Sequence, residues 1–337
     1  MLDLSGFDRI RLAHLPTPVE PMARLAADLG GPNLLVKRDD CTGLATGGNK
    51  ARKLEFLMAA AVREGADTVL TQGAVQSNHV RQTAAAACRL GLKCRVLLEE
   101  RLSNPPSQYE TSGNVWLNTL FGAEVAYRPG GSDMAAELDA EAEAVRSAGG
   151  VPYVIPGGGS NPLGGLGYVA MVEELAIQLR DQKLAVDHIV HATGSAGTQA
   201  GILAGLSALG MDIPVHGIGV RFDSETQESR VHALTDKITD LIGAPAVPRA
   251  SVRAADGYIG DGYGHPTPGM VDAVRTTARL EGLLLDPVYS GKGMAGLIDL
   301  VHKGVFSRKE TVLFLHTGGA VGLFGYQWAF DDPPAGA

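Results

Sequence analysis

Thr46-Gly-Gly-Asn-Lys50-Ala-Arg-Lys53-Leu-Glu-Phe56 joins a glycine loop to the start of a helix, and the same kind of junction recurs along the chain. Leu54, Leu57, Met58 and Val62 return at helical spacing with charges between them, which predicts a helix over 52–64. Lys50 then stands just before a helix N-terminus, where unpaired N–H groups make the field positive. That field, with partial burial, lowers its pKa and leaves more of the free amine, the form that attacks carbonyls. Taken alone, a lysine at such a junction is an ordinary surface residue. Glycine-rich segments downstream change that balance.

Outward from this stretch the chain alternates strands with helices of 10–15 residues. Asn33–Asp40, Thr68–Thr71, Cys94–Leu98, Glu124–Tyr127 and Tyr153–Ile155 read as strands in the first half. His188–Ala192, Val215–Arg221 and Thr311–His316 follow in the second. Helices are predicted between them, among them 165–180, 198–209, 269–281 and 293–303. Such alternation predicts an α/β fold with parallel sheets covered on both faces. The tail Asp331–Ala337 reads as frayed.

Composition narrows the function classes. The 337 residues suffice for two domains, and 45% hydrophobic with 20% charged residues is an ordinary globular mixture. A net charge of −8 argues against nucleic acid or an anionic membrane as partner. Cys41, Cys88 and Cys94 are odd in number, without a C-x-x-C spacing or paired histidines. Neither a disulfide framework nor a metal site is expected, and a reducing, cytoplasmic location fits. No leader-like apolar segment and no run approaching ~18 apolar residues is visible, so no signal peptide or membrane span is expected.

In open α/β sheets, ligands collect at the carboxyl ends of strands, and four polar loops stand there. Thr193-Gly-Ser-Ala-Gly-Thr198 leads into a helix, so its N–H groups and hydroxyls form an anion cradle. It lacks the Lys-[Ser/Thr] ending of a nucleoside-triphosphate loop, and tight strand–helix packing is the plainer use of its glycines. Gln76-Ser-Asn-His79 opens another helix; Ser77 and Asn78 serve either as caps or as a carboxylate site. Asp261-Gly-Tyr-Gly-His265 and Asp286-Pro-Val-Tyr-Ser290 set Tyr263 and Tyr289 on turns. His316-Thr-Gly-Gly319 ends the last strand. Gly291-Lys-Gly-Met-Ala-Gly296 matches G-x-G-x-x-G, yet the next strand ends in His316 rather than an acidic residue, so helix packing is expected instead of a dinucleotide. An anion cradle, an imine-forming lysine and a carboxylate loop together point to pyridoxal phosphate acting on an amino acid.

The motifs Gly47-Gly-Asn-Lys-Ala-Arg-Lys-Leu-Glu55, Gln76-Ser-Asn-His79 and Leu285-Asp-Pro-Val-Tyr289 resemble a known group of enzymes. These are the D-cysteine desulfhydrases, L-cysteate sulfo-lyases and 1-aminocyclopropane-1-carboxylate deaminases, of the fold-type II, tryptophan synthase β-like class. The likeness runs from Leu15 to Ala320. It implies two open, twisted, mostly parallel sheets flanked by helices, a large cofactor domain (1–51 and 162–337), a small domain (52–161), and a homodimer.

The resemblance also implies roles. Lys50 would bind the cofactor covalently and move the α-proton. Asn78 would meet the cofactor's 3-hydroxyl, and Gly194, Ser195, Ala196, Gly197 and Thr198 would hold its phosphate, with Thr317 at the ring. Ser77 would meet the substrate, flanked by Gln76, Asn78 and His79, with Tyr263 and Tyr289 handling protons. Where the deaminases carry glutamate and leucine, this chain has Ser290 and Thr317, which disfavours opening a cyclopropane. The segments 40–44, 128–131 and 217–221 look more like L-cysteate sulfo-lyase than D-cysteine desulfhydrase. Arg221, a fixed cation at a strand end, would suit a sulfonate, or else form a common salt bridge. The expected reaction is L-cysteate to pyruvate, sulfite and ammonium, with D-cysteine desulfhydration as the alternative.

Overall fold

The structure, a computed structural model, describes residues 3–331. Apart from Asp331, the tail expected to fray lies outside them. In chain order the elements begin β1 (Val19–Pro21), α1 (Ala23–Leu29), β2 (Asn33–Arg38), α2 (Lys50–Arg63), β3 (Thr68–Ala74) and α3 (Asn78–Arg89). Then come β4 (Lys93–Glu100), α4 (Ser107–Thr111), α5 (Gly113–Leu120), β5 (Glu124–Pro129), α6 (Met134–Ser147), β6 (Pro152–Val154) and α7 (Pro162–Gln182). The chain closes with β7 (His188–Thr193), α8 (Gly197–Leu209), β8 (Val215–Gly219), α9 (Ser224–Ile242), β9 (Arg253–Ala255), α10 (Pro268–Glu281), α11 (Ser290–His302) and β10 (Thr311–His316).

Two sheets result. One has the order β1-β2-β10-β7-β8-β9, the other β5-β4-β3-β6. All pairings are parallel except β1 with β2, an antiparallel edge not expected from the alternating pattern. The larger sheet is covered on one face by a core built from α7, α8 and α9, including Leu166, Ile202, Val231 and Ile238. On its other face Leu25, Met270, Met294 and Leu297 from α1, α10 and α11 pack, with Met22 just before α1, against Val190 and Phe314. The smaller sheet buries one face against α2 and α3 and the other against α6. Helices on both faces explain why the strands read as continuous apolar runs.

Close backbone approach decides several glycines. A Cβ at Gly201 would stand 2.4 Å from the Gly165 carbonyl oxygen, where α8 crosses α7. Gly291, Gly293 and Gly296 are in the same position: side chains there would strike the Asp286 carbonyl, Ala192 and Ile218. The G-x-G-x-x-G match is therefore a packing feature of α11.

Helix α2 departs from expectation at its start. It begins at Lys50 rather than Arg52, so the lysine is the first helical residue instead of preceding the helix. The charges between its apolar positions are enclosed: Arg52, Lys53 and Glu55 are buried, whereas Val62 is exposed. Arg52 reaches Asp39 on both carboxylate oxygens at 2.9 Å and also Glu174. Glu55 accepts the Leu12 and Ala13 N–H groups.

Candidate active site

The carboxyl ends of β3, β7 and β10 and the N-termini of α2, α3, α8 and α11 converge on a cavity of about 420 Å³. Lys50, Ser77, His79, Ser195, Arg221, Tyr263 and Tyr289 line it. A narrower pocket continuous in its lining with this cavity adds Asn78, Ala196, Thr198 and Thr317. All but two of the expected site residues line these pockets; Gly197 lies in the same loop, between two that do, which leaves one exception.

That exception is Gln76. Its side-chain amide donates to the Tyr109 and Ser112 carbonyls at 2.6 and 2.8 Å, and its oxygen accepts the Asn114 N–H at 3.0 Å. Both amide protons and one acceptor direction are taken by the segment around α5. Its side chain faces that segment and does not line either pocket.

Lys50 is buried, and among the described residues its amine has no hydrogen-bond or ion-pair partner. Burial brings its pKa down to about 8, only partly opposed by the distant charge of Asp286. Desolvation, rather than a helix-end field, is thus the main cause. Backbone geometry presents it: Gly47 takes a φ of +77°, and a Cβ there would meet the Asp40 carbonyl oxygen at 2.0 Å.

Opposite Lys50 stands the loop after β7. Ala196 takes a left-handed φ of 71°, which turns the chain so that Gly197 starts α8. A Cβ on Gly197 would sit 2.6 Å from Ser160 Oγ and 2.9 Å from Lys53 Nζ, so the loop floor abuts both groups. Ser160 Oγ also donates to Ser195 Oγ at 2.9 Å, and Asn49 Nδ2 donates to Thr198 Oγ1 at 3.1 Å. Helix N–H groups, two hydroxyls and a buried amine are the groups an anion site requires. Lys53 belongs to the first motif, which gave it no role; its signal was its spacing, one helical turn from Lys50 on the same face. The segment Pro156-Gly-Gly-Gly-Ser-Asn161 carried a signal too, since it follows a strand like the other glycine loops.

On α3, Ser77 caps the helix by accepting the Val80 N–H at 3.2 Å while lining the cavity. Asn78 Oδ1 accepts from Arg81 (3.3 Å) and Asn114 (3.0 Å), which fixes its amide so that the NH₂ end is left for the pocket. His79 Nε2 lies 2.8 Å from Thr71 Oγ1, whose proton goes to the Ile155 carbonyl. The ring must therefore carry its proton on Nε2, leaving Nδ1 a bare acceptor without a partner. Burial holds its pKa well below the ordinary histidine value, so the ring is neutral.

Tyr263 and Tyr289 meet at 2.6 Å between hydroxyls. Burial raises both pKa values; the Arg101 guanidinium, 4.6 Å above the Tyr263 ring, opposes this at Tyr263. Asp286 holds the turn that carries Tyr289 by accepting the N–H groups of Val288, Tyr289 and Ser290. Ser290 is also bonded through its hydroxyl to Asp286 Oδ1, at 2.8 Å. Thr317, not Ser290, therefore lines the pocket.

The family model for pyridoxal-phosphate-dependent enzymes matches residues 10–318. The chain belongs to that family. It is 46% identical to a D-cysteine desulfhydrase of Klebsiella pneumoniae subsp. pneumoniae, across 96% of this chain and 98% of that protein. The D-cysteine desulfhydrase of Salmonella newport is 45% identical over 96% and 97%. The crystal structure of a homologue of ACC deaminase superposes with a TM-score of 0.89 at 38% identity, covering 97% of this chain and 96% of that one. Diaminopropionate ammonia lyase of Escherichia coli shares the fold, at 16% identity and a TM-score of 0.66 over 94% of this chain and 86% of that one. The cofactor is pyridoxal 5′-phosphate, and the residues present fit it: the glycine floor leaves room for a phosphate, and a free amine faces that floor. Bound there, it supplies an electron sink for charge developing at a substrate's α-carbon.

Proposed function

We propose that the protein is a β-eliminating carbon–sulfur lyase that converts D-cysteine and water to pyruvate, hydrogen sulfide and ammonium. The observation that carries this is the partnerless buried Lys50 amine facing both an anion cradle and the Ser77–Asn78 helix start. Likeness to D-cysteine desulfhydrases across nearly the whole chain supports the choice of substrate. Lys50 carries the cofactor and moves the α-proton; a pKa of about 8 lets it hold or release that proton near neutrality. Gly194 to Thr198 with Lys53 bind the phosphate, Asn78 the 3-hydroxyl, and Thr317 borders the ring. Ser77 binds the substrate carboxylate, and Tyr263 with Tyr289 delivers a proton to the departing sulfur.

L-Cysteate remains a second reading on one observation. Arg221 and Arg230 flank the Phe222 ring at 4.7 Å each on the cavity wall, and neither has an acidic partner among the described residues. Unmatched guanidinium groups there favour an anionic side chain such as a sulfonate. Paired assays decide between the two: sulfide from D-cysteine without sulfite from L-cysteate supports the first reading, and the converse rejects it. An Arg221→Ala variant with undiminished kcat/KM for the sulfonate removes that residue's role.

Three coarser attributes are proposed alongside. A homodimer is supported by the exposed apolar side chains Trp116, Leu120 and Phe324 on neighbouring elements, and sedimentation tests it. Free Cys41, Cys88 and Cys94 support a cytoplasmic location, which fractionation tests; among the described residues no helix is long and apolar enough to cross a membrane. Division into 1–51 with 162–337 and an inserted 52–161 is supported by the smaller sheet, drawn wholly from Thr68–Val154. Expression of 52–161 as a separate folded unit tests it.

A further inference from the structure

Lys292 belongs to the G-x-G-x-x-G stretch that dinucleotide chemistry leaves unexplained, and it is fully buried. A lysine is seldom buried without cause, because desolvating an ammonium is costly. Its amine donates to the Ile259 carbonyl oxygen at 2.6 Å, and the carboxylates of Asp286 and Asp261 are the opposing charges that act on it. Ile259 lies in the loop between β9 and α10, four residues before Tyr263.

That loop has little internal support. Gly260, Gly262 and Gly264 take φ values of +68°, +147° and +86°, so its backbone is intrinsically free to rearrange. Internal bonds are few and long: Ile259 N–H to Asp256 O and His265 N–H to Gly262 O, both 3.2 Å. The stronger ties come from outside. Besides Lys292, the buried Tyr326 hydroxyl donates to the Gly264 carbonyl at 2.8 Å, and Tyr258 donates to Asp299 of α11.

We infer that Lys292 and Tyr326 are positioning residues, a two-point clamp on the loop carbonyls that fixes where Tyr263 meets Tyr289. Lys292 lies three residues after Tyr289, so a single helix start sets one phenol directly and holds the other by its loop. The catalytic consequence rests on the proposed role of the two tyrosines; the geometric claim does not.

Lys292→Met and Tyr326→Phe, each in the cofactor-loaded enzyme, test it by hydrogen exchange over 256–266 together with steady-state kinetics. Amide exchange in that loop should rise about tenfold while the sheets stay protected, as expected for losing one strong hydrogen bond. The kcat should fall about tenfold with KM nearly constant, and Lys292→Arg, which keeps a donor, should restore part of it. Should one variant fail to fold, the other reads the same loop. Unchanged loop exchange in a folded variant overturns the clamp. Faster exchange with Tyr263→Phe fully active sustains the clamp and refutes the proposed role of the phenols instead.

Discussion

Arg52 and Lys53 are adjacent on α2, equally buried, and opposite in their chemistry. Arg52 is matched: Asp39 and Glu174 surround it, Lys37 and Tyr168 complete the network, and its pKa is driven upward by those partners despite burial. Lys53, like Lys50 one turn before it, has no ion-pair partner among the described residues and reaches only the Gly158 carbonyl and Ser160 Oγ, at 3.2 and 3.4 Å; burial first and then the charge of Lys50 hold its pKa well below the ordinary lysine value. A matched buried charge serves the fold, because each partner would be costly alone. An unmatched one is tolerated only if something else arrives to complete it, and two such amines at a cradle fit a phosphorylated aldehyde. Pairing, more than burial, separates structure from site on this helix.

The comparison can be broken at either end. Lys50→Ala should lower turnover at least about 10³-fold while thermal stability stays at or above wild type, since an uncompensated amine is removed. Arg52→Met should do the reverse. Leaving Asp39 without its ion-pair partner, and Glu174 with Lys37 alone, costs about 3–5 kcal/mol in denaturant unfolding, yet turnover of the surviving folded enzyme should persist. Lys53→Met should weaken cofactor binding about tenfold by equilibrium titration without loss of stability.

A pH series sharpens the same contrast. Lys50 has a folded pKa near 8, below its ordinary 10.5, so between these values the unfolded chain binds more protons than the native one. Stability of the cofactor-free protein should therefore rise with pH across that window, and Lys50→Ala should flatten the rise. Capture of the cofactor should speed up as pH passes through about 8 and then level off. The smallest effect belongs to a solvated pair: Arg63 and Asp8, 3.1 Å apart and both exposed, should tolerate Arg63→Ala within about 0.5 kcal/mol.

Much of this was legible because it is local. Strand–helix alternation and glycine loops at strand ends are short-range patterns, and they located Lys50, Ser77, the 193–198 loop and both tyrosines. What was not legible depends on distant partners. Glu174 and Asp39 cannot be matched to Arg52 from spacing, so nothing in the α2 pattern showed where its charges would go. Gln76 carried a binding motif's residue type, but its amide is claimed by Tyr109, Ser112 and Asn114 from a later segment. The strands β1 and β9 have three residues each, Val-Glu-Pro and Arg-Ala-Ala, and lack the β-branched and aromatic run that marks the equally short β6. Three short segments favoured L-cysteate as substrate; against them, the relatives' similarity over nearly the whole chain weighs toward D-cysteine.

Lys37, Lys50, Lys53 and Lys292 are all buried with depressed pKa values, so reactivity alone would not single out one of them. The direct test is to load the protein with pyridoxal phosphate, reduce it with borohydride, and locate the added mass by peptide mapping. The mass should fall on Lys50 alone. Labelling at Lys53 or Lys292 with Lys50 unmodified would contradict the account.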